Sequence, residues 1–257
     1  MTVELKRTLA AVWTDRDVAR LYRHRPPYPP HAFAILERLI VDPRVVLDAG
    51  AGTGALARRM TSFAIRVDAV DPSAAMIEEA CGLPGGASDR LRWIVAPAET
   101  APLSPPYGLI TTGQSLHWMD HAVVMPRFAD ALAPGARLVS LDIEWEYAPA
   151  WREALLRVIE RFSPAPRPGA TDLFGELERR GLFERHGYQR TTEIAIERSI
   201  DELILMLQST SSLSRVVQGE RADAFADEVR ALFRRLGLER ARFSAAANVV
   251  WGRPLRP

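Results

Sequence analysis

Apolar and polar positions along this chain fall into two rhythms, short buried runs and helical periodicities, and they alternate. A helix over residues 11–22 is stopped by Arg25-Pro26-Pro27-Tyr28-Pro29-Pro30, where fixed proline φ angles forbid continuation. An amphipathic helix over 31–40 follows. Strands are predicted at 44–47, 66–70, 91–95, 109–112 and 137–143. Between them lie helices at 55–63, at 73–81 with Ser73 near the N-cap, and at 122–132. Strands and helices taking turns with short connections imply a doubly wound, mostly parallel sheet covered on both faces. Right-handed crossovers then gather the carboxyl ends of the strands on one edge, where such folds bind ligands.

After residue 143 the rhythm changes. Helices are predicted at 151–162, 173–180, 201–207 and 221–236, strands at 189–196 and 242–250, and a proline-rich loop at 163–169. The expected organisation is one domain over 1–257: an N-terminal helical lid (1–42), a core (43–145), and a segment (146–257) that completes the sheet and covers the site.

Composition narrows the function classes. With 257 residues, 47% hydrophobic and 25% charged, the chain has the proportions of a soluble globular protein. A net charge of +1 and scattered arginines argue against nucleic acid as an obligatory partner. Cys81 is the only cysteine, which excludes an intrachain disulfide and a cysteine metal cluster and fits a reducing cytoplasm. Residues 1–20 lack an apolar signal region, and no run reaches the ~18 apolar residues of a membrane span. The expectation is a soluble cytoplasmic protein of unassigned oligomeric state.

The chemistry gathers at Leu47-Asp48-Ala49-Gly50-Ala51-Gly52-Thr53-Gly54, a glycine loop closing the first core strand. Such glycines let the backbone turn and approach a ligand, and the following helix N-terminus offers N–H groups. Asp71, closing the next strand in Val67-Asp68-Ala69-Val70-Asp71-Pro72, is placed to accept hydrogen bonds from a ribose diol. Taken alone, Gly50-x-Gly52-x-x-Ala55 also satisfies the dinucleotide pattern, so the glycines do not choose between cofactors.

Together with Asp71-Pro72-Ser73-x-x-Met76-x-x-x-Ala80, the Asp48-led loop resembles that of the class I S-adenosylmethionine-dependent methyltransferases. Ala96-Pro97-Ala98-Glu99, Thr112-Gly113-Gln114-Ser115-Leu116-His117-Trp118 and Ala131-Leu132-Ala133-Pro134-Gly135 follow in that family's order. Tyr22-Arg23-His24-Arg25-Pro26-Pro27 and Leu116-His117-Trp118 look most like its small-molecule branch, the trans-aconitate methyltransferase-like enzymes. The resemblance covers residues 20–145 well and the last third loosely. It departs at Tyr107-Gly108, where the family often has aspartate, and at Pro134-Gly135-Ala136, where Pro-Gly-Gly is common.

The resemblance implies a Rossmann-like sheet of seven strands with the last antiparallel, and S-adenosylmethionine as cofactor. It implies that Gly50 and Gly52 pass the methionine part, with Asp48 just ahead of them, and that Asp71 holds the ribose. Pro72 and Met76 would pack near the adenine, with Ala98 and Glu99 along its edge. Gln114 would give a backbone contact near the amino group, and Tyr22 and Arg25 would close over the methionine carboxylate, a group that guanidinium binds bidentately.

Methyl transfer from a sulfonium is an in-line displacement, so a base is optional: a hydroxyl acceptor gains from one, whereas a carboxylate is already ionised. His117 is the candidate base, or else a wall of the cofactor pocket. Residues 209–214 either line the acceptor pocket with hydroxyls or end a helix, and Trp145, Tyr147 and Trp151 either wall that pocket or pack the core. His24 either reaches substrate from the lid or is a solvent-exposed loop residue; His31, His121 and His186 have no neighbours at metal-ligand spacing, so no metal is expected. Rival readings are a relative that uses the bound cofactor without methyl transfer, a nicotinamide oxidoreductase, and a non-enzymatic nucleoside-binding protein. Lys6, the sole lysine, disfavours the Tyr/Lys dyad of the oxidoreductases.

Overall fold

In the computed structural model, residues 5, 8–9, 11–165 and 172–256 are described; most of the proline-rich loop predicted at 163–169 lies outside them. The elements in order are α1 (Arg16–Leu21), α2 (Pro30–Leu39), β1 (Val45–Ala49), α3 (Ala57–Met60), β2 (Arg66–Asp71), α4 (Ala74–Gly82) and β3 (Leu91–Val95). Next come β4 (Leu109–Gly113), α5 (His121–Ala131), β5 (Leu138–Tyr147), α6 (Pro149–Phe162), α7 (Leu173–Arg179), β6 (Phe183–Arg190) and β7 (Ile194–Ser199). The chain ends with α8 (Ile200–Gln208), α9 (Arg215–Gln218), α10 (Arg221–Arg235) and β8 (Arg240–Pro254).

Two compact units divide the chain. One takes Tyr28–Glu144, Asp172–Glu193 and Ala246–Pro257; the other takes Met1–Pro27, Trp145–Thr171 and Ile194–Ala245. The first unit thus holds residues 28–42 and two stretches of the last third together with the parallel strands.

Strand order is β3-β2-β1-β4-β5-β8-β6, with β7 paired to the first half of β8. The pairs β1–β2, β1–β4, β2–β3 and β4–β5 are parallel, whereas β6 and β7 both run antiparallel to β8. The sheet thus has eight strands where seven were expected, because the single strand predicted at 189–196 is two. The break has a local cause. The Thr191 N–H donates to the Ala247 carbonyl, its hydroxyl accepts from the Ala247 N–H at 2.9 Å, and the Thr192 N–H turns to His31 Nδ1.

Alternating residues of the parallel strands feed two separate cores in the first unit. Val45, Leu47, Ala49, Val70 and Ile110 pack with Val124, Met125 and Phe128 of α5 on one face. On the other, Val46, Val67, Ala69 and Leu109 pack with Ile35 and Leu36 of α2 and Met60 of α3. Every residue of β1 is buried, as a strand covered on both faces requires.

The second unit is built around helices α6 and α10. Trp151, Leu155, Val158 and Phe162, at helical spacing on α6, are buried, as are Phe225, Val229, Leu232 and Phe233 of α10. Ring pairs Trp151–Phe233 and Phe162–Phe225 lie 5.2 and 5.5 Å apart. Residues 11–22 do not form one helix: a 3-10 turn, Val12–Thr14, ends at Asp15, whose carboxylate accepts from the Asp17 and Val18 N–H groups and restarts the chain as α1.

Candidate functional site

The carboxyl end of β1 forms a tight loop fastened from three sides. The Gly50 and Ala51 N–H groups both donate to the Val70 carbonyl, at 2.8 and 2.9 Å. Gly50 and Gly52 lie at φ +72° and +55°, the left-handed region that glycine enters at no cost. Gly50 also has no room for a side chain, since an added Cβ would fall on Ser115 Cβ, 2.8 Å from its Oγ. The close approach that the glycine permits is therefore to the segment after β4. There Ser115 Oγ donates to the Ala49 carbonyl at 2.7 Å.

Asp71 is the third fastening. Its Oδ2 accepts from the Gly52 N–H at 2.7 Å and its Oδ1 from the Ser73 N–H at 2.8 Å. Burial raises its pKa, and those two N–H bonds oppose the rise. Each oxygen keeps a further lone pair for a ligand hydroxyl. Asp48, behind the loop, is 1% exposed and takes a 2.8 Å bond from the Thr111 hydroxyl. Burial pushes its carboxyl up to about 7; the nearby Asp71 adds to this, and the Thr111 hydroxyl and Ala57 N–H work against it.

The helix expected at 55–63 is a single turn, α3, because the chain runs through turns to Leu56 and then loses its helical carbonyls to side chains. Thr61 Oγ1 takes the Arg58 carbonyl at 2.7 Å and Ser62 Oγ that of Arg59 at 2.9 Å. A ligand here would meet turn N–H groups and carboxylates, with no long helix N-terminus to help.

Next along the sheet edge, Ser73 Oγ caps α4 by accepting from Met76 N–H, as predicted. Pro72 is exposed whereas Met76 is buried, so the two expected adenine neighbours differ in access. Ala98 is buried in the α5-side core. Glu99 accepts from the Asp120 N–H at 2.8 Å, and Asp120 in turn caps α5 at the Ala122 N–H; Glu99 thus ties the end of β3 to the turn that carries His117.

Gln114 stands at φ +55°, a conformation that costs a non-glycine residue on the order of 1 kcal/mol or more. Its N–H donates to Leu141 O and its Nε2 to Ile143 O, both on β5. His117 lies exposed on the 3-10 turn Leu116–Trp118, its ring 5.1 Å from that of Trp118.

Three polar residues of this edge were given no role from the sequence. They are Ser115; Thr112, whose hydroxyl is buried without a partner among the described residues; and Asp142, on β5, whose pKa is raised by burial and by Glu144. The alternation Leu141-Asp142-Ile143-Glu144 was the available signal for Asp142.

Tyr22 and Arg25 belong to the second unit. There the Arg25 guanidinium centre lies 3.9 Å from the Tyr22 ring centroid, and Nε donates to Ser209 Oγ at 2.9 Å. The hydroxyls of Ser209, Thr210 and Ser214 bond carbonyls three residues back, which favours the helix-ending reading of that run. Tyr147 and Trp151 pack against each other and against Phe243 and Phe233, while the Trp145 indole N–H is buried without a partner among the described residues. Among the described residues no group of three or more His, Cys, Asp or Glu could hold a metal, and no helix is long and apolar enough to cross a membrane.

Known proteins match this arrangement. Residues 46–135 match the family described as a methyltransferase domain. An uncharacterized methyltransferase of Mycobacterium tuberculosis is 38% identical over 117 residues, 45% of this chain and 46% of the relative. Trans-aconitate 2-methyltransferase of Pseudomonas aeruginosa is 31% identical over 154 residues, 58% of this chain and 54% of that enzyme. The chain spans about half the length of the curated relatives it matches. A solved structure from Anaeromyxobacter dehalogenans, whose name assigns it to type II methyltransferases, superposes with TM-score 0.70 at 25% identity, covering 89% of this chain and 97% of that one. Over residues 46–135, which hold the glycine loop and most of the parallel strands, the chain thus resembles a methyltransferase domain of the class I S-adenosylmethionine-dependent kind.

Proposed function

We propose that this protein transfers the methyl group of S-adenosylmethionine to a small-molecule acceptor, with a carboxylate or a hydroxyl favoured. The observation that carries the reading is the Gly52–Asp71 bond, which sets a buried carboxylate with spare lone pairs beside a left-handed glycine turn. Those residues fit a nucleoside: a diol finds acceptors on Asp71, beside the backbone of the glycine turn. In the cofactor's role assignment, Gly50 and Gly52 border the methionine part, Asp48 stands behind them, and Asp71 holds the ribose. Pro72, Met76, Ala98 and Glu99 surround the adenine, and Gln114 contacts the amino group through its backbone.

S-adenosylmethionine, when bound, supplies an electrophilic methyl on a sulfonium. The protein's own part is to orient the acceptor in line with it and to exclude water. His117 takes the proton of a hydroxyl acceptor; a carboxylate acceptor needs orientation only. The likeness to trans-aconitate 2-methyltransferase supports the small-molecule class.

Calorimetry with S-adenosylmethionine, S-adenosylhomocysteine and NAD(P) tests the cofactor, followed by a screen of small carboxylates and alcohols with labelled methyl donor. Binding of NAD(P) without either sulfur nucleoside would sink the reading.

A further inference from the structure

At the carboxyl edge of the first unit, two polar side chains stand without partners. Ile110 pairs with Leu138 and Thr112 with Ser140 in the β4–β5 register, and Ile110 and Leu138 pack on the α5 side of the sheet. Side chains alternate along a strand, so Thr112, Ser140, Asp142 and Glu144 share that face. The Thr112 hydroxyl is buried with no partner among the described residues. The half-buried Asp142 carboxylate makes no hydrogen bond and no ion pair among them either. Burial raises its pKa, and the charge of Glu144, two residues on, adds to the rise. Glu144 itself is loosely paired with Arg190, Oε2 to Nε 3.7 Å. Gln114 fastens this stretch of β5 on both sides of Asp142: its N–H donates to the Leu141 carbonyl at 2.9 Å and its Nε2 to the Ile143 carbonyl at 3.3 Å.

In the methyl-transfer reading the cofactor lies on the glycine loop and Asp71, at the ends of β1 and β2, and reaches Gln114 at the end of β4. An acceptor in line with its methyl then lies over the next strand ends, those of β4 and β5. We propose that Asp142 and the Thr112 hydroxyl form the specificity-determining pair of the acceptor site, admitting a hydroxyl compound and rejecting a carboxylate. This rests on the methyl-transfer reading and narrows the acceptor class it leaves open. A hydroxyl both donates and accepts, so one group can give its hydrogen to Asp142 and take that of Thr112. A carboxylate has no hydrogen for Asp142 and meets the negative charges of Asp142 and Glu144. The pair selects and orients the acceptor; the proton step stays with His117.

The test applies ligand-observed NMR to the full chain with S-adenosylhomocysteine, over matched pairs of small probes. Each pair is an alcohol and the carboxylate of the same skeleton, benzyl alcohol with benzoate and ethanol with acetate among them; labelled methyl donor then reads transfer to each. The alcohols are expected to bind and to be methylated in preference to their carboxylates. Asp142→Asn, close in shape, should weaken the alcohols by about fivefold and tighten the carboxylates by about the same factor, with S-adenosylhomocysteine affinity held within about twofold. Thr112→Val should weaken the alcohols by about threefold without lowering Tm, since it removes a buried hydroxyl that has no partner. A preference for carboxylates in the unaltered chain, a panel in which no alcohol binds or is methylated, or an alcohol-to-carboxylate ratio unmoved in either variant would overturn the proposal. So would equal weakening of the alcohols and of S-adenosylhomocysteine in Asp142→Asn, which would make the residue structural. Failure of S-adenosylhomocysteine itself to bind would remove the methyl-transfer reading, and the acceptor pair with it.

Discussion

Asp48 is a carboxylate that the fold penalises. Its pKa stands at about 7 in the native state, against about 4 in an unfolded chain, so between those pH values the native state holds a proton that the unfolded state releases. Its contribution therefore favours the native state most below about pH 4 and fades as pH rises toward 7, by an amount on the order of 4 kcal/mol. Asp71, shifted the same way by burial, adds to the trend. Asp48→Asn, neutral at every pH, should flatten it. Urea midpoints from pH 4 to 8 check this, and parallel pH profiles for the two proteins would refute the raised pKa. His117 is argued at the same scale, from its exposure on the turn after β4. With an acceptor identified, His117→Ala should lower kcat by about 100-fold or more with cofactor affinity intact. An equal loss of cofactor affinity would make it a pocket wall.

The glycine loop and the turn after β4 form one interlocked element. Gly50→Ala would force a left-handed φ on alanine and drive its Cβ onto Ser115, so a loss of about 2–5 kcal/mol is expected. Thermal melting should show a drop of several degrees; an unchanged Tm would mean the Gly50–Ser115 contact is not tight. The sequence could show the glycines and Asp71 because they lie in local motifs whose spacing is set by one strand-turn-strand unit. Ser115 was out of reach, since its bond to the Ala49 carbonyl spans 66 residues and depends on β4 lying beside β1. The same limit explains two of the misjudged elements. Hydrophobic periodicity could not show that Thr61 and Ser62 would unwind α3, nor that Thr191 would bond its neighbour strand and split one predicted strand into β6 and β7.

For the whole chain, alternation of strand and helix rhythms made the parallel sheet and its binding edge legible, because each buried strand answers to two cores at once. The last third was less legible, since its helices pack mainly on one another and its side-chain partners, such as Arg25 and Ser209, lie far apart in sequence. Cofactor binding then has a consequence for global stability. A ligand at about 100 times its Kd stabilises the native state by about 2.7 kcal/mol, which for a chain of this size raises Tm by roughly 5–11 °C. S-adenosylhomocysteine should produce that shift and NAD(H) none. Asp71→Ala needs care, because the carboxylate also holds the Gly52 and Ser73 N–H groups, so the variant's Tm without ligand will itself fall. The ligand-induced shift isolates the ribose contact. A tenfold weaker Kd, about 1.4 kcal/mol, leaves the same ligand concentration only ~10 times Kd, and the shift should shrink by about half. A full shift in Asp71→Ala would confine that residue to fastening the loop and leave the ribose to another acceptor.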